Sequence, residues 1–345
     1  MKNTMVGVDL AKEVIQVCTY TNKKVRSNVE MTHHEFLEWL FISKPTFIVF
    51  EACGMSNYWK QKAIEAGHEC ELISAKLVST VRQNQKTDKN DALAIVQAAL
   101  LPDVNFIQGK NIEQQQLQTM LRLRELAVKQ KTALSNQIKA LLLEFNIRIT
   151  KKDGGIIAGV QSFIENAENE LSDEFRKVLN TASEQYGLLV ESIKVYDLSL
   201  ERTANKHSDC KKLLRLEGVG TINAVNLYIA LGCAELGSFS KGKDASACIG
   251  LTPLQHSSGG KAKIGSIGKY VKNGALRSQL IVGAMAVVRR AATKTAVTKK
   301  ELWIQALVGR RGKKCAAVAL ANKTVRTAFA MLTQGTEYKA ENITA

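Results

Sequence analysis

The sequence predicts an α/β domain, then a helical coiled-coil arm, then a mainly α C-terminal region of strongly basic character. Three observations carry this prediction. Short β-branched apolar runs alternate with helix-forming segments up to about residue 108. From Ile112 to Ile149 there is neither Pro nor Gly, and apolar residues recur at helical spacing. Lys and Arg then concentrate beyond residue 260. With 345 residues and 45% hydrophobic content, the chain can bury two or three cores, and the expected boundaries are 1–108, 109–208 and 209–345.

Met5 to Tyr20 reads as a strand and hairpin start, with Val6, Val8, Ile15 and Val17 as its β-branched positions. His33 to Ile42 is rich in helix formers, Pro45 punctuates, and Thr46 to Phe50 is a short apolar strand that ends at Glu51. A helix from about Asn57 to Ala66 stops at Gly67, and a strand covers Glu69 to Ile73. Thr87 or Asp88 caps a helix running to about Leu100, before Pro102. The long helix after Ile112 is followed by a Gly-rich break at Lys151 to Gly159. A second helical stretch spans about Ser162 to Ala204, so an antiparallel pair suited to self-association is expected. The last unit begins near Lys211. There Leu216-Glu217-Gly218-Val219-Gly220 precedes a small-residue helix, Thr221 to Leu231, and resembles the turn of helix-hairpin-helix elements, whose amides meet a phosphate. A helix from Lys243 to Ile249, a turn-rich segment from Gly250 to Gly274, and helices over 275–292 and 314–332 complete the reading.

Composition narrows the partner. The net charge is +16, and residues 261–345 hold 17 Lys and Arg against only Glu301, Glu337 and Glu341. A field of one sign so concentrated attracts polyanions, and nucleic acid is the expected one. The cations lie beside glycines, at Gly259-Gly260-Lys261, Gly268-Lys269 and Arg310-Arg311-Gly312-Lys313-Lys314, where backbone amides and charge meet a phosphate together. No apolar run approaches membrane-spanning length and the N-terminus carries no cleavable leader pattern, so a soluble cytoplasmic protein is expected. Seven cysteines without zinc spacing read as reduced core thiols.

Phosphodiester chemistry with divalent metal needs several carboxylates gathered on a rigid platform. Asp9 lies on the first strand, Glu51 ends a later one, and Asp88 and Asp91 stand three apart at a helix start, so both reach one side of its first turn. Taken singly, Asp9 reads equally as a turn residue, Glu51 as a lysine partner and Asp88 as an N-cap. The order of the four matches the ribonuclease-H-like arrangement of Holliday-junction resolvases. An all-carboxylate set favours a hard cation, Mg2+ or Mn2+.

At this point the chain resembles a known family: the transposases of the insertion-sequence 110 group and its 1111 subgroup, with the related site-specific DNA invertases. The resemblance runs through Gly7-Val8-Asp9-Leu10-Ala11-Lys12, Phe50-Glu51-Ala52-Cys53-Gly54 and Lys86-Thr87-Asp88-Lys89-Asn90-Asp91-Ala92. It continues through Leu216 to Gly220, Gly250-Leu251-Thr252-Pro253, Ser258-Gly259-Gly260-Lys261 and Lys272-Asn273-Gly274-Ala275-Leu276-Arg277, covering nearly the whole chain. Cys53 stands where relatives commonly have Thr. The resemblance implies a RuvC-like domain whose Asp9, Glu51, Asp88 and Asp91 hold metal, and a transposase domain whose Ser258 is the nucleophile. It further implies donor and target DNA as partners, a structured bridge RNA as guide in some members, a dimer that becomes a tetramer on DNA, and a prokaryotic, nucleoid-associated setting.

The residues alone say less about Ser258. A serine hydroxyl needs activation, and no His-Asp pair stands out; Ser257 and Ser266 are its neighbours in kind. Around it, glycines admit a phosphate while Lys261 and Lys263 neutralise it, and Gly218, Gly220, Lys269, Lys272 and Arg277 are further candidates for nucleic-acid contact. A RuvC-like nuclease in which metal-activated water attacks, without a covalent serine intermediate, is the alternative. A non-catalytic binding protein is a third reading. An actin-like ATPase is disfavoured because no second Asp-Gly-Gly phosphate strand is present.

Overall fold

The computed structural model describes residues 4–150, 154–232, 239, 241–268 and 274–343. The chain divides into two compact units, one of residues 1–115, 212–219 and 227–345, the other of 116–211 and 220–226.

The first unit opens with β1 (Thr4–Leu10), β2 (Ile15–Thr21), β3 (Lys24–Met31), α1 (His33–Ile42), β4 (Phe47–Glu51), α2 (Ser56–Glu65), β5 (Glu69–Ile73), α3 (Ala75–Val81) and α4 (Asp88–Ala99). The five strands form one sheet in the order β3-β2-β1-β4-β5. β1 runs antiparallel to β2 and parallel to β4, and β4 parallel to β5. Alternation along the central strands loads both faces. Val6, Val8, Ile48, Phe50 and Leu72 pack with Phe36, Leu40 and Trp59 of α1 and α2. Phe47, Val49 and Ile73 pack with Val78 of α3 and with Ala94, Ile95 and Ala98 of α4. The result is a sheet covered on both faces by helices.

β3 was not anticipated. Its residues are almost all exposed, so it lacks the apolar alternation by which strands are read. It is held by its ladder to β2 and by Asn28, whose Nδ2 donates to the Lys89 carbonyl at 2.9 Å.

The second unit is mostly α5 (Ile112–Leu143), α6 (Ile156–Glu165) and α7 (Asp173–Lys206). Leu142 shares a core with Leu179, and Arg124 pairs with Asp197. Contacts that descend α5 as they climb α7 make the two helices antiparallel. The continuous helix expected over 162–204 is instead broken: α6 ends at Asn166, and Ser172 begins α7 anew by capping the Phe175 amide.

The remaining elements are α8 (Ser208–Leu214), α9 (Thr221–Gly232), α10 (Gly242–Cys248), β6 (Pro253–Ser258), β7 (Lys261–Ile267), α11 (Gly274–Ala291) and α12 (Lys299–Gln334). The segment read as turns therefore contains an antiparallel β-hairpin, exposed along almost its whole length. α12 is not one rod. Gly312 has φ 79° and ψ 167°, and the Lys323 ammonium sits 5.2 Å from the Trp303 ring centroid. Twenty residues of straight helix would separate those residues by about 30 Å, so the chain reverses at Gly312. The cysteines are less uniformly buried than expected: Cys18, Cys70 and Cys210 are core thiols, whereas Cys53 and Cys315 are exposed. Cys233 lies outside the described residues.

Among the described residues, no helix is long and apolar enough to cross a membrane.

Candidate active site

Gly7 sets the geometry of the acidic site. A Cβ there would stand 2.5 Å from the Ala92 carbonyl oxygen and 2.7 Å from Val96 Cγ2. Only glycine lets α4 lie this close across β1. Thr87 caps α4 through the Asn90 amide, and the first turn carries Asp88 and Asp91 toward the ends of β1 and β4. Asp9 and Glu51 each lie one residue beyond the Val8–Phe50 pair of the parallel ladder. They share the α4-facing side of the sheet, because alternate residues of a strand point to opposite faces.

The carboxylates feel one another. Burial pushes the Asp9 carboxyl up to about 6, with repulsion from Glu51, Asp91 and Asp88 adding to it. Glu51 is raised by burial and by Asp91, against a pull from Lys86 and Arg82. Asp91 is buried, and Arg82 Nη1 donates to its Oδ1 at 2.7 Å. Asp88 is exposed at the rim. Behind Asp9, the buried Gln16 donates to Asn28 Oδ1 at 2.8 Å, bracing β2 and β3.

The structure brings the four acids expected from the sequence near one another and adds Arg82, a cation that the sequence reading did not pick out. Its signal was modest: Arg82 and Lys86 flank a polar run just before the acidic helix start. All-oxygen donors, partial burial and mutual repulsion make this cluster chemically suited to a hard divalent cation. Among the described residues no three metal-ligating side chains already converge on one point, and Arg82 holds one Asp91 oxygen.

Ser258 is built differently. It ends β6 at the hairpin tip, before Gly259 (φ 56°) and Gly260 (φ 76°), the positive values that a tight two-residue turn demands. The register pairs Ser258 with Lys261 and His256 with Lys263. These four side chains share one face, while Ser257, Ala262, Gln255 and Ile264 occupy the other. The Ser258 hydroxyl makes no hydrogen bond among the described residues. Arg277 braces the base of the hairpin: its Nε donates to the Gly250 carbonyl at 3.0 Å, and its guanidinium lies where a Cβ on Gly268 would come within 2.5 Å.

The other predicted contacts fall at separate places. Gly218 (φ 78°) packs on α11, where a Cβ would meet the Gly283 carbonyl oxygen at 2.7 Å. Gly220 has open space around it and accepts the Ala224 amide at the start of α9. Lys269 and Lys272 lie outside the described residues.

Comparison with known proteins agrees with both regions. A transposase family profile of the DEDD type found in IS110 elements matches residues 6–147, a span that includes all four acids. A second, described as the transposase of the IS116/IS110/IS902 family, matches residues 210–299 and includes the Ser258 hairpin. The chain is 34% identical over 336 residues, 97% of its length and 91% of the relative's, to the transposase for insertion sequence element IS1111A of Coxiella burnetii. It is 32% identical over 341 residues, 98% of its length and 99% of the relative's, to a probable family 20 transposase of Pseudomonas aeruginosa. A sheet that gathers four acids, a basic region that carries a serine hairpin, and likeness along nearly the whole length lead to one conclusion: this chain belongs to the IS110 family of transposases, enzymes that cut and rejoin DNA.

Proposed function

We propose that this protein is the site-specific recombinase of an insertion sequence, cutting and religating donor and target DNA through Ser258 with help from a divalent metal. The observation that carries the reading is the gathering of Asp9, Glu51, Asp88 and Asp91 from two parallel strands and one helix start, with the Asp9 carboxyl pushed up to about 6. Four acids kept together at that cost need a positive partner beyond Arg82. Asp9, Glu51, Asp88 and Asp91 would hold Mg2+ or Mn2+. When bound, such an ion supplies charge against the scissile phosphate.

In the proposed reaction the Ser258 oxygen bonds to phosphorus, the bond from phosphorus to the leaving deoxyribose oxygen breaks, and the serine proton is released as that oxygen gains one. Energy held in the phosphoserine ester then drives religation. Lys261 and Lys263, on the same hairpin face as Ser258, neutralise the phosphate. The Gly220 turn, as a helix-hairpin-helix-like element, and Lys269 and Lys272 add backbone contacts, while Gly218 packs against α11 and Arg277 braces the base of the hairpin. A structured bridge RNA supplies sequence recognition. The antiparallel α5–α7 arm joins subunits into a dimer, and two dimers meet on DNA.

The alternative, attack by metal-activated water without a covalent serine intermediate, is favoured by one observation: among the described residues no side chain accepts a hydrogen bond from the Ser258 hydroxyl, although His256 lies on the same face of the hairpin. A nicked DNA substrate that prevents religation decides between them. A covalent protein–DNA adduct, absent in Ser258→Ala, is expected. Undiminished cleavage by Ser258→Ala would establish the water mechanism.

A further inference from the structure

A groove of about 1330 Å³ lies between α10, the base of the β-hairpin and the second half of α12. Among the described residues its cations are Lys241, Lys243, Lys314, Lys323 and Arg326, no acidic residue lines it, and none of the five makes an ion pair. Its floor is apolar, with Val318, Ala319 and Phe329 presented on one side of α12 and the indole of Trp303 at the wall. The opposite side of that helix, including Ala317, Leu320 and Ala328, is buried, whereas on the groove-facing side Val318 and Ala319 are half-buried and Lys323 and Arg326 exposed.

The walls are held firmly. Gly242 brings α10 so close to α12 that a Cβ would lie 3.3 Å from the Arg326 backbone. Asn322 Nδ2 donates to Ser246 Oγ at 3.2 Å and to the Leu251 carbonyl at 3.1 Å, tying α10 and the hairpin base to the floor. The reversal at Gly312 folds the first half of α12 back, so that Trp303 faces Lys323. The same reversal sets Arg310, Arg311, Lys313 and Lys314, all exposed, around its tip.

We propose that this groove binds an unpaired strand of DNA, with phosphates on Lys314, Lys323 and Arg326 and a base stacked on Trp303. A duplex presents phosphates but hides its base faces. A lone strand offers both, and cationic grooves with aromatic platforms hold it without reading sequence. Lys323 covers the indole in the free protein through a cation–π contact. In the complex it turns to a phosphate and the base takes its place. A strand that has been cut and awaits rejoining has this chemistry, so the inference rests on the recombinase reading and assigns a holding site for the freed end.

The test uses the full-length protein with three fluorescein-labelled probes, a 15-nucleotide oligo-dT, a 20-base-pair duplex and a 15-nucleotide oligo-U, read by anisotropy. Trp303→Ala and the double variant Lys323→Gln/Arg326→Gln are each expected to weaken oligo-dT binding by about tenfold, with duplex binding changed less than twofold and Trp303→Phe keeping most of the affinity. The double variant alters only exposed side chains, so it carries the test if Trp303→Ala fails to fold. Equal losses on strand and duplex, or no loss on the strand, would overturn the groove and leave the recombinase reading intact. Tighter binding of oligo-U, lost in the same variants, would assign the groove to RNA instead. A wild-type protein that binds neither DNA probe would overturn the recombinase reading itself.

Discussion

The acidic site and the serine hairpin belong to one compact unit yet are made by opposite means. Asp9 and Glu51 are fixed by a sheet packed on both faces, and Asp91 by a helix that touches the sheet backbone at Gly7. The hairpin has two strands and exposed side chains, and is braced at its base by Arg277 and Asn322. Two-stranded ribbons of this kind are marginal in water. The acids are therefore carried by a packed framework, at a cost in like-charge repulsion, whereas the serine sits on a ribbon with little packing of its own. Charge expresses the same contrast, with a half-buried cluster of negative groups in the sheet and an exposed ribbon that bears positive ones.

The largest expected effect breaks the first half of the comparison. Asp9→Asn should lower DNA cleavage by at least ~10³-fold, the weight of several kcal/mol of lost transition-state stabilisation, while duplex binding measured by anisotropy stays within about twofold. An Asp9→Asn protein that still cleaves well would mean that the four acids are structural. Next in size is Gly7→Ala. Its methyl group must displace α4, and overpacking of this kind costs about 1–3 kcal/mol in a urea titration. Cleavage should fall by about 10² as Asp88 and Asp91 shift by an ångström or so. Unchanged stability would show that α4 does not rest on β1 as tightly as the structure has it.

The electrostatic cost is itself measurable. Asp9 has a folded value of about 6 against an ordinary 3.8. Between those values the native state holds a proton that the unfolded chain has released, so stability falls as pH rises from about 4 through 6. In EDTA, the chain should be more stable at pH 5 than at pH 7.5 by about 1–2 kcal/mol once solvent screening is allowed for. Mg2+ or Mn2+ should raise the melting temperature at pH 7.5 and scarcely at pH 5, because metal and proton compete for the same oxygens. Asp9→Asn should flatten the pH dependence. A metal effect equal at both pH values would place the ion away from Asp9.

Most of the rigid half was legible in the sequence, because burial writes itself as periodicity. The helix over His33 to Ile42 and the strand over Glu69 to Ile73 were both read correctly, and the acids stand at the element ends where the apolar runs stopped. What escaped was whatever packing does not mark. β3 is exposed, so Lys24 to Met31 carry no alternating pattern. The hairpin at 253–267 is polar with no core face, and its two glycines read as a loop. The break at Gly312 was legible, since the helix over 314–332 was read to begin just beyond it, whereas the helical segment before it, from Lys299, was not. Arg82 lies nine residues from its partner Asp91 across an irregular segment, a pairing that only the fold brings about.

The smallest effect sharpens the second half of the comparison. If the hairpin awaits phosphates, Lys261→Gln and Lys263→Gln should each weaken duplex binding by a few-fold at low salt and reduce the slope of log K against log salt by about 1, as one released counterion per phosphate contact requires. Neither should move the melting temperature, since both side chains are exposed and make no ion pair among the described residues. Ala262→Gln, on the opposite face, serves as the control and should leave the slope alone. A reduced slope for the lysines alone would mean that DNA lies along the Ser258 face. Equal behaviour on both faces would make the ribbon a general attractor of polyanions, with no preferred side to aim its serine.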